Sequence, residues 1–254
     1  TTTMMASYWS ADANQTGAQF GNSVSAAGDV NGDGYADVIV GAPRYSNDQT
    51  EEGRAYVYYG SAAGLPIIAS WTAESNQAGA LFGTSVSVAG DINGDGFADV
   101  IVGAPQYANG QTNEGRVYIY YGSAGGLATT AGSVVESDLI NAMYGSCVGA
   151  AGDVNGDGFA DVILGALQYN TALVYYGSAA GLVTTAAWTI QNAPKFSSFG
   201  WSAGTAGDVN GDGYDDVIVG AIEYDNGETN EGAAFVYFGS VTGLSINPDW
   251  FVES

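Results

Sequence analysis

An internal repeat that occurs four times constrains this chain more than any other feature. Aligned on one shared aspartate (Asp29, Asp91, Asp153 and Asp208), the copies follow one another at spacings of 62, 62 and 55 residues. Each copy has an aromatic-glycine pair, an acidic loop, a Val-Ile-rich run, a polar stretch, an aromatic run such as RVYIYYGS, and a Gly-Leu turn. The fold must therefore be built from four similar units.

Each unit contains four short runs rich in Val, Ile, Tyr, Phe and Trp, separated by clusters of Gly, Asn, Asp and Ser. Such runs are typical of β-strands with turns between them, and no stretch has a convincing helical period. Four strands per repeat predict an all-β fold made of β-propeller blades, each of four antiparallel strands. We expect a single region over 1–254, with units at 20–81, 82–143, 144–198 and 199–254 and an outer strand plus inter-blade loop at 1–19.

The N-terminal stretch resembles the part of the unit that ends a blade. SYWSADANQTGAQFG at 7–21 parallels ASWTAESNQAGALFG at 69–83, and NPDWFVES at 247–254 supplies an outer strand again. The four blades therefore leave one strand to spare. Because exposed strand edges pair readily with other strands, we expect a segment of a larger ring or array, or self-association through this strand. A closed four-bladed ring is the alternative.

The composition excludes several classes of function. The chain has 27 acidic and four basic residues, a net charge of −23, so it should repel nucleic acid. No run approaches 18 apolar residues, so we expect no membrane insertion. Histidine is absent, and the single cysteine, Cys147, stands where other copies have serine. We expect no enzyme, although a pair of carboxylates across a cleft stays open as a catalytic arrangement.

The acidic loop places oxygen-bearing side chains at regular intervals. In DVNGDGYAD, residues 29–37, they stand at positions 1, 3, 5 and 9, with glycines at 4 and 6. Calcium takes six to eight hard oxygen ligands, among them a backbone carbonyl at position 7. An EF-hand is excluded, because position 12 is Val40 and a β run follows. A plain Asn-Gly hairpin turn is the alternative, and four retained copies favour the metal.

All four copies keep this pattern, which predicts about four Ca²⁺ ions, one per repeat. Magnesium fits less well, because it requires stricter octahedral geometry. The predicted ligands, with position 7 contributing its carbonyl, are Asp29, Asn31, Asp33, Tyr35, Asp37; Asp91, Asn93, Asp95, Phe97, Asp99; Asp153, Asn155, Asp157, Phe159, Asp161; and Asp208, Asn210, Asp212, Tyr214, Asp216.

The stretch FGNSVSAAGDVNGDGYADVIVGAP at 20–43 resembles the FG-GAP repeat of integrin α-subunit β-propellers and their bacterial relatives. It has the Phe-Gly, the DxNxDGxxD loop and the Gly-Ala-Pro; the third and fourth copies end in Gly-Ala-Leu and Gly-Ala-Ile. The resemblance implies a propeller, usually of seven blades, with calcium loops on one face and ligands bound on the opposite face. It also implies an extracellular or cell-surface location and a role in adhesion or recognition.

On that mapping, the loops between the second and third strands are candidate contacts for a protein or glycan ligand. The third copy loses seven residues there, which is typical of an exposed loop. A tyrosine follows each GAP-like triplet by two residues, and its alternative role is packing at the blade rim. The candidates are Tyr45, Tyr107, Tyr169 and Tyr224, with the neighbouring acids Asp48, Glu51, Glu52, Glu114, Asp225, Glu228 and Glu231.

Two further functions stay open. A sugar-binding propeller would use aromatic platforms, and a tryptophan recurs in the outer strand at Trp9, Trp71, Trp188 and Trp250, with Val134 or Val135 in the remaining copy. A tryptophan in an outer strand more often serves packing. A purely structural repeat array of a surface protein or filament is the other possibility.

Overall fold

The computed structural model describes residues 9–191 and 198–253. These residues form sixteen β-strands and one short 3₁₀ turn, Leu167–Tyr169. The strands make four separate antiparallel sheets of four strands each, ordered within each sheet as along the chain. In the described part of the chain, no helix is long and apolar enough to cross a membrane. The predicted all-β fold of four-stranded blades is confirmed.

Each blade runs from an inner first strand to an outer fourth strand. The strands are β1 Ser23–Gly28, β2 Asp37–Ala42, β3 Arg54–Tyr58 and β4 Trp71–Glu74 in blade one; β5 Ser85–Gly90, β6 Asp99–Ala104, β7 Arg116–Tyr120 and β8 Ser133–Glu136 in blade two; β9 Tyr144–Gly152, β10 Asp161–Ala166, β11 Thr171–Tyr175 and β12 Trp188–Gln191 in blade three; and β13 Phe199–Gly207, β14 Asp216–Ala221, β15 Ala233–Tyr237 and β16 Trp250–Glu253 in blade four.

The apolar core lies between blades. Ile39 and Val57 of blade one pack with Val100 and Val102 of blade two, and the same kind of cluster recurs at the next two junctions. The second strand of a blade that has neighbours on both sides, as in β6 and β10, is thus covered on both faces by adjacent sheets. This position explains why it reads as a continuous run of β-branched residues, since a strand buried on both faces loses the polar alternation of a surface strand.

A tryptophan in the outer strand contacts the following blade through a hydrogen bond and a ring contact. The Trp71 indole N–H donates to the Ala128 carbonyl oxygen at 2.9 Å, and the ring lies 4.8 Å from that of Tyr120. Trp188 makes the same hydrogen bond to Ser245. Trp9 makes it to Pro66, so it occupies the place that an outer strand of a preceding blade would fill.

Over residues 9–191 and 198–253, the four blades do not close into a ring. Val209, Ile218 and Trp250 on the far side of blade four are 56%, 38% and 50% exposed, whereas their counterparts in blade one, such as Val30 and Ile39, are fully buried. The alternative of a closed four-bladed ring is therefore wrong. The predicted N-terminal outer strand begins outside the described residues, and from Trp9 onward the segment before β1 contains no strand.

Candidate metal loops and the opposite-face loops

The four acidic loops connect the first strand to the second strand in every blade. In blade one the loop follows Gly28, where β1 ends, and reaches Asp37, where β2 begins. The turn between the third and fourth strands lies at the same end of the blade, because the backbone N–H of Gly60 donates to Asp37. We call this end of the blade, which carries the acidic loops, the loop end.

Side chains at positions 1, 3 and 5 converge within each loop. Asp29 Oδ1 and Asn31 Oδ1 both accept the backbone N–H of Asp33, each at 3.1 Å. The Asn31 amide donates in turn to Asp33 Oδ2 at 3.1 Å. Carboxylate and amide oxygens from three alternate residues therefore face one small region, as a hard dication requires.

This geometry recurs at every blade. The backbone N–H groups of Asp95, Asp157 and Asp212 each donate to the side-chain oxygens at positions 1 and 3 of their own loop, at 2.9–3.0 Å. The amide-to-carboxylate hydrogen bond between positions 3 and 5 is also present in the other three loops, at 2.9–3.0 Å. The donor set of positions 1, 3 and 5 fits a calcium ion in all four blades.

The position 9 aspartates have a different role. Asp37 is 1% exposed; its Oδ2 accepts the N–H of Val30 at 2.9 Å and its Oδ1 accepts that of Gly60 at 2.7 Å. Asp99, Asp161 and Asp216 make the equivalent pair of hydrogen bonds. Each of these carboxylates joins the acidic loop to the turn between the third and fourth strands.

This engagement limits how position 9 could hold a metal. Among the described residues, no group of three or more His, Cys, Asp or Glu side chains is arranged to hold a metal ion. A carboxylate offers about four lone-pair sites, so the second lone pair of an oxygen in Asp37 is the one that a cation would use. Ligation by position 9 and by the position 7 carbonyls stays a prediction.

Burial perturbs these same carboxyl groups. Desolvation raises the pKa of Asp99 to about 7, against the lowering effect of its two backbone hydrogen bonds, and the charges of Asp95 and Asp91 raise it further. The same causes raise the pKa of Asp161 to about 7, and burial also raises that of Asp37. A dication beside these groups would stabilise their charged form.

The opposite end of the blade carries the loops between the second and third strands. Tyr45 and Tyr107 are half-buried there, and each has an arginine guanidinium stacked on its ring, Arg54 at 3.9 Å and Arg116 at 3.8 Å from the ring centroid. Arg116 also forms an ion pair with Glu136 at 2.7 Å. These contacts fit the alternative of packing at the blade rim for two of the four candidate tyrosines.

The other two candidate tyrosines have different surroundings. Tyr224 is 7% exposed and packs with its ring centroid 5.8 Å from that of Phe235. Tyr169 is half-buried, donates its hydroxyl to the Ile140 carbonyl oxygen at 3.3 Å, and lines a cavity of about 180 Å³.

That cavity results from the short loop and from substitutions in blade three. By strand register, Thr171 of β11 stands where blades one and two have an arginine, Leu173 where they have a tyrosine, and Gln191 where they have a glutamate. The smaller side chains leave the arginine's place unfilled. The cavity is lined by Glu136, Ser137, Leu139, Ala142, Tyr144, Ala166, Tyr169, Thr171, Leu173, Thr189 and Gln191.

Two of the candidate contact acids do not face solvent. Glu52 and Glu114 are both fully buried, and each accepts a backbone N–H from its own loop, Asn47 at 2.8 Å in blade one and Asn109 in blade two. They hold the loop in shape, so the expectation that they contact a ligand is wrong. Sequence gave no sign of this burial, because glutamate in a polar loop is ordinarily exposed.

The remaining acids are more accessible. Glu51 pairs with Arg44 at 2.8 Å, and the two side chains are 40% and 48% exposed. Asp48, Asp225 and Glu228 are exposed, and Glu231 is half-buried.

Two of the four tryptophans offer little surface for a sugar, whereas Trp9 and Trp250 are 39% and 50% exposed. Trp71 and Trp188 are 6% and 5% exposed, because their rings lie between blades. In the remaining copy, the register pairs Ser133 with Ile119 as it pairs Trp71 with Val57. Ser133, and neither Val134 nor Val135, therefore occupies the tryptophan's place.

Known protein families match this chain along most of its length. The FG-GAP repeat model matches residues 20–58 and 82–120, and an FG-GAP-like repeat model matches residues 153–219. Together these matches cover more than half of the chain.

Individual relatives include two integrin α-subunits and one enzyme. Integrin alpha-4 of Xenopus laevis is 33% identical over 219 residues, 83% of this chain and 20% of that protein. Integrin alpha-7 of Rattus norvegicus is 36% identical over 155 residues, 61% of this chain and 13% of that protein. Phosphatidylinositol-glycan-specific phospholipase D of Rattus norvegicus is 32% identical over 201 residues, 70% of this chain and 24% of that protein.

The chain thus spans a quarter or less of the length of these relatives. The matched segments contain the Phe-Gly pairs, the acidic loops and the buried second strands described above. On its four ordered repeats and on these matches, the chain belongs to the FG-GAP repeat family.

Proposed function

We propose that this chain is a calcium-stabilised, non-catalytic recognition or adhesion module that works outside the cell or at its surface. The observation that carries the proposal is the convergence of oxygens at positions 1, 3 and 5 in four successive loops. A turn without a metal would bring two carboxylates and an amide together four times at a cost in repulsion, which a cation would remove.

The ligand is proposed to bind at the end of the blades opposite the loop end. There the copies differ most: two blades fill the rim with an arginine, one buries Tyr224, and blade three has a cavity beside Tyr169. Loops that bind a partner vary more in sequence than the strands that form the scaffold. Differences among four otherwise similar blades are therefore expected at the end that recognises a specific partner.

A protein partner is favoured over a glycan. Trp71 and Trp188 are buried between blades, so a repeated set of tryptophan platforms for sugars is not accessible. The similarity to integrin α-subunits supports an adhesive role. The similarity to a phospholipase D indicates that related repeats also occur in the chain of an enzyme. Catalytic activity is therefore tested together with ligand binding.

A structural array is the second candidate. The far side of blade four exposes Val209, Ile218 and Trp250. The equivalent residues of blade one are buried against the blade that follows. Self-association would cover this surface. The spare N-terminal strand proposed for such contacts begins outside the described residues.

The test uses the chain in buffer with excess calcium against panels of cell-surface proteins and of glycans. The expected result is a protein ligand whose binding is lost on Tyr169→Ala and in EDTA, and is kept in Arg44→Ala, which removes an exposed side chain. Binding to glycans alone, or hydrolysis of a phospholipid by the chain itself, would contradict the proposal.

A further inference from the structure

Consecutive acidic loops are in direct contact with one another. The backbone N–H of Ala98, at position 8 of the second loop, donates to the carbonyl oxygen of Asp29 at 3.1 Å. Ala160 donates in the same way to Asp91, and Asp215 to Asp153, at 3.0 and 3.1 Å. Position 8 of each following loop is thus bonded to the residue that opens the preceding loop.

The aromatic residue at position 7 completes this contact. A Cβ placed on Gly94 would lie 2.7 Å from the Phe159 ring, and one on Gly32 would lie 2.5 Å from that of Phe97. Only glycine at position 4 lets the neighbouring ring lie this close. Each of the first three loops is therefore covered by the blade that follows it.

The junction between blades three and four differs from the others at position 8 of the following loop. Position 8 is alanine in the first three loops (Ala36, Ala98 and Ala160) but aspartate, Asp215, in the fourth. Its Oδ2 accepts the N–H of Asp153 at 2.9 Å, and its carboxylate lies against Gly152. The third loop thus receives an additional carboxylate from a different blade, directly at the residue that opens it.

We propose that Asp215 of blade four raises the calcium affinity of the third loop above that of the loops of blades one and two. The inference rests on the proposed calcium function. A negative charge near a bound dication stabilises it electrostatically. The chain offers a natural comparison, because Ala98 and Ala160 occupy the place of Asp215 beside the first and second loops.

The charge and the hydrogen bond of Asp215 are separable. Asp215→Asn keeps an oxygen that can accept the Asp153 N–H but removes the charge, whereas Asp215→Ala removes both. If the charge acts on the cation, both variants weaken one site by about fivefold to tenfold, the size expected for a unit charge several ångströms from a dication in a wet site. Without calcium, Asp215→Asn should melt at or above the temperature of the unchanged chain.

The experiment is calorimetric titration of the metal-free chain with Ca²⁺ alone, in four proteins: unchanged, Asp215→Asn, Asp215→Ala, and Asp12→Asn as the control. Asp12 is an exposed residue at the blade-one edge, so its replacement makes the same change in net charge far from the third loop. Adding Asp157→Ala, which removes a position 5 ligand of the third loop, should abolish the effect of Asp215→Asn.

Two failures are distinguishable. If the unchanged chain takes up no calcium, the proposed function fails and the inference fails with it. If it takes up calcium but Asp215→Asn titrates like Asp12→Asn, or if only Asp215→Ala weakens a site, then Asp215 serves the blade junction alone and the inference is overturned. The transplant Ala98→Asp should tighten the first loop; an unchanged titration would contradict the role assigned to position 8.

Discussion

The two ends of each blade contrast sharply. At the loop end the four copies share the aspartates and the asparagine at positions 1, 3, 5 and 9, the same hydrogen bonds among positions 1, 3 and 5, and the same buried aspartate. At the opposite end they share a tyrosine but not its surroundings, which include a stacked arginine, a cavity and a buried ring. The comparison teaches that repetition marks what every blade needs in order to hold together, and variation marks where a partner can be distinguished.

Removing calcium should lower the stability of the folded chain more than any single substitution. If the proposed sites bind calcium, each should stabilise the folded chain by RT ln(1 + [Ca]/Kd), about 2.7 kcal/mol when calcium is at a hundredfold excess over Kd. Thermal melting in EDTA should therefore fall well below melting in calcium. Magnesium in place of calcium should restore much less, and equal melting in all three buffers would contradict a structural metal.

Breaking the buried aspartate of one blade should come next in size. Asp161→Ala leaves the N–H groups of Val154 and Gly177 without their acceptor, which costs about 2–4 kcal/mol for two buried donors. Urea unfolding in EDTA measures this loss. Asp157→Ala is the matched control: it changes an exposed carboxylate four residues away, so it should cost little in EDTA and lower only the calcium-dependent part.

The opposite end has its own matched pair. Arg116→Ala should cost about 2 kcal/mol, because it removes the stacking on Tyr107 and leaves the carboxylate of Glu136 without its ion pair. Arg44→Ala breaks the exposed pair with Glu51 and should cost less than about 0.5 kcal/mol. Equal losses in urea unfolding would show that the stacked arginines are not part of the blade's packing.

The stability of the metal-free chain should also depend on pH. Asp99 and Asp161 have a pKa raised from the ordinary 3.8 to about 7 by burial, so the folded chain holds these protons more tightly than the unfolded chain. Without calcium, their contribution should fall as pH rises from about 4 to 7. Urea unfolding at pH 5 and pH 7 in EDTA tests this, and Asp161→Asn should flatten part of the trend. In calcium the trend should weaken or reverse.

Much of the fold could be predicted from the sequence because its signals are local. The run Val38-Ile39-Val40 and the turn residues before it define β2 and its loop without reference to any other blade. The role of Asp37 could not be predicted, since its partner Gly60 lies 23 residues away on another turn of the blade. For the same reason the loop pattern suggested a metal ligand at position 9 and gave no sign of the backbone hydrogen bonds there.

The rim of the blades was harder to predict for a different reason. Arg54 and Tyr45 meet only because β3 lies beside β2 in one particular register, and polar-loop composition carries no information on that register. The cavity of blade three is the clearest case: the shortened loop was visible in the sequence, but its consequence depends on Thr171 and Leu173 in a strand beyond it.

The most direct test of the central claim is the calcium stoichiometry of the metal-free chain, measured by calorimetric titration beside the variant Asp33→Ala. The account predicts four calcium ions per chain and three in the variant, with the remaining sites retained because repeat units interact mainly with their neighbours. A chain that takes up no calcium, or a variant with the same stoichiometry as the unchanged chain, would contradict it.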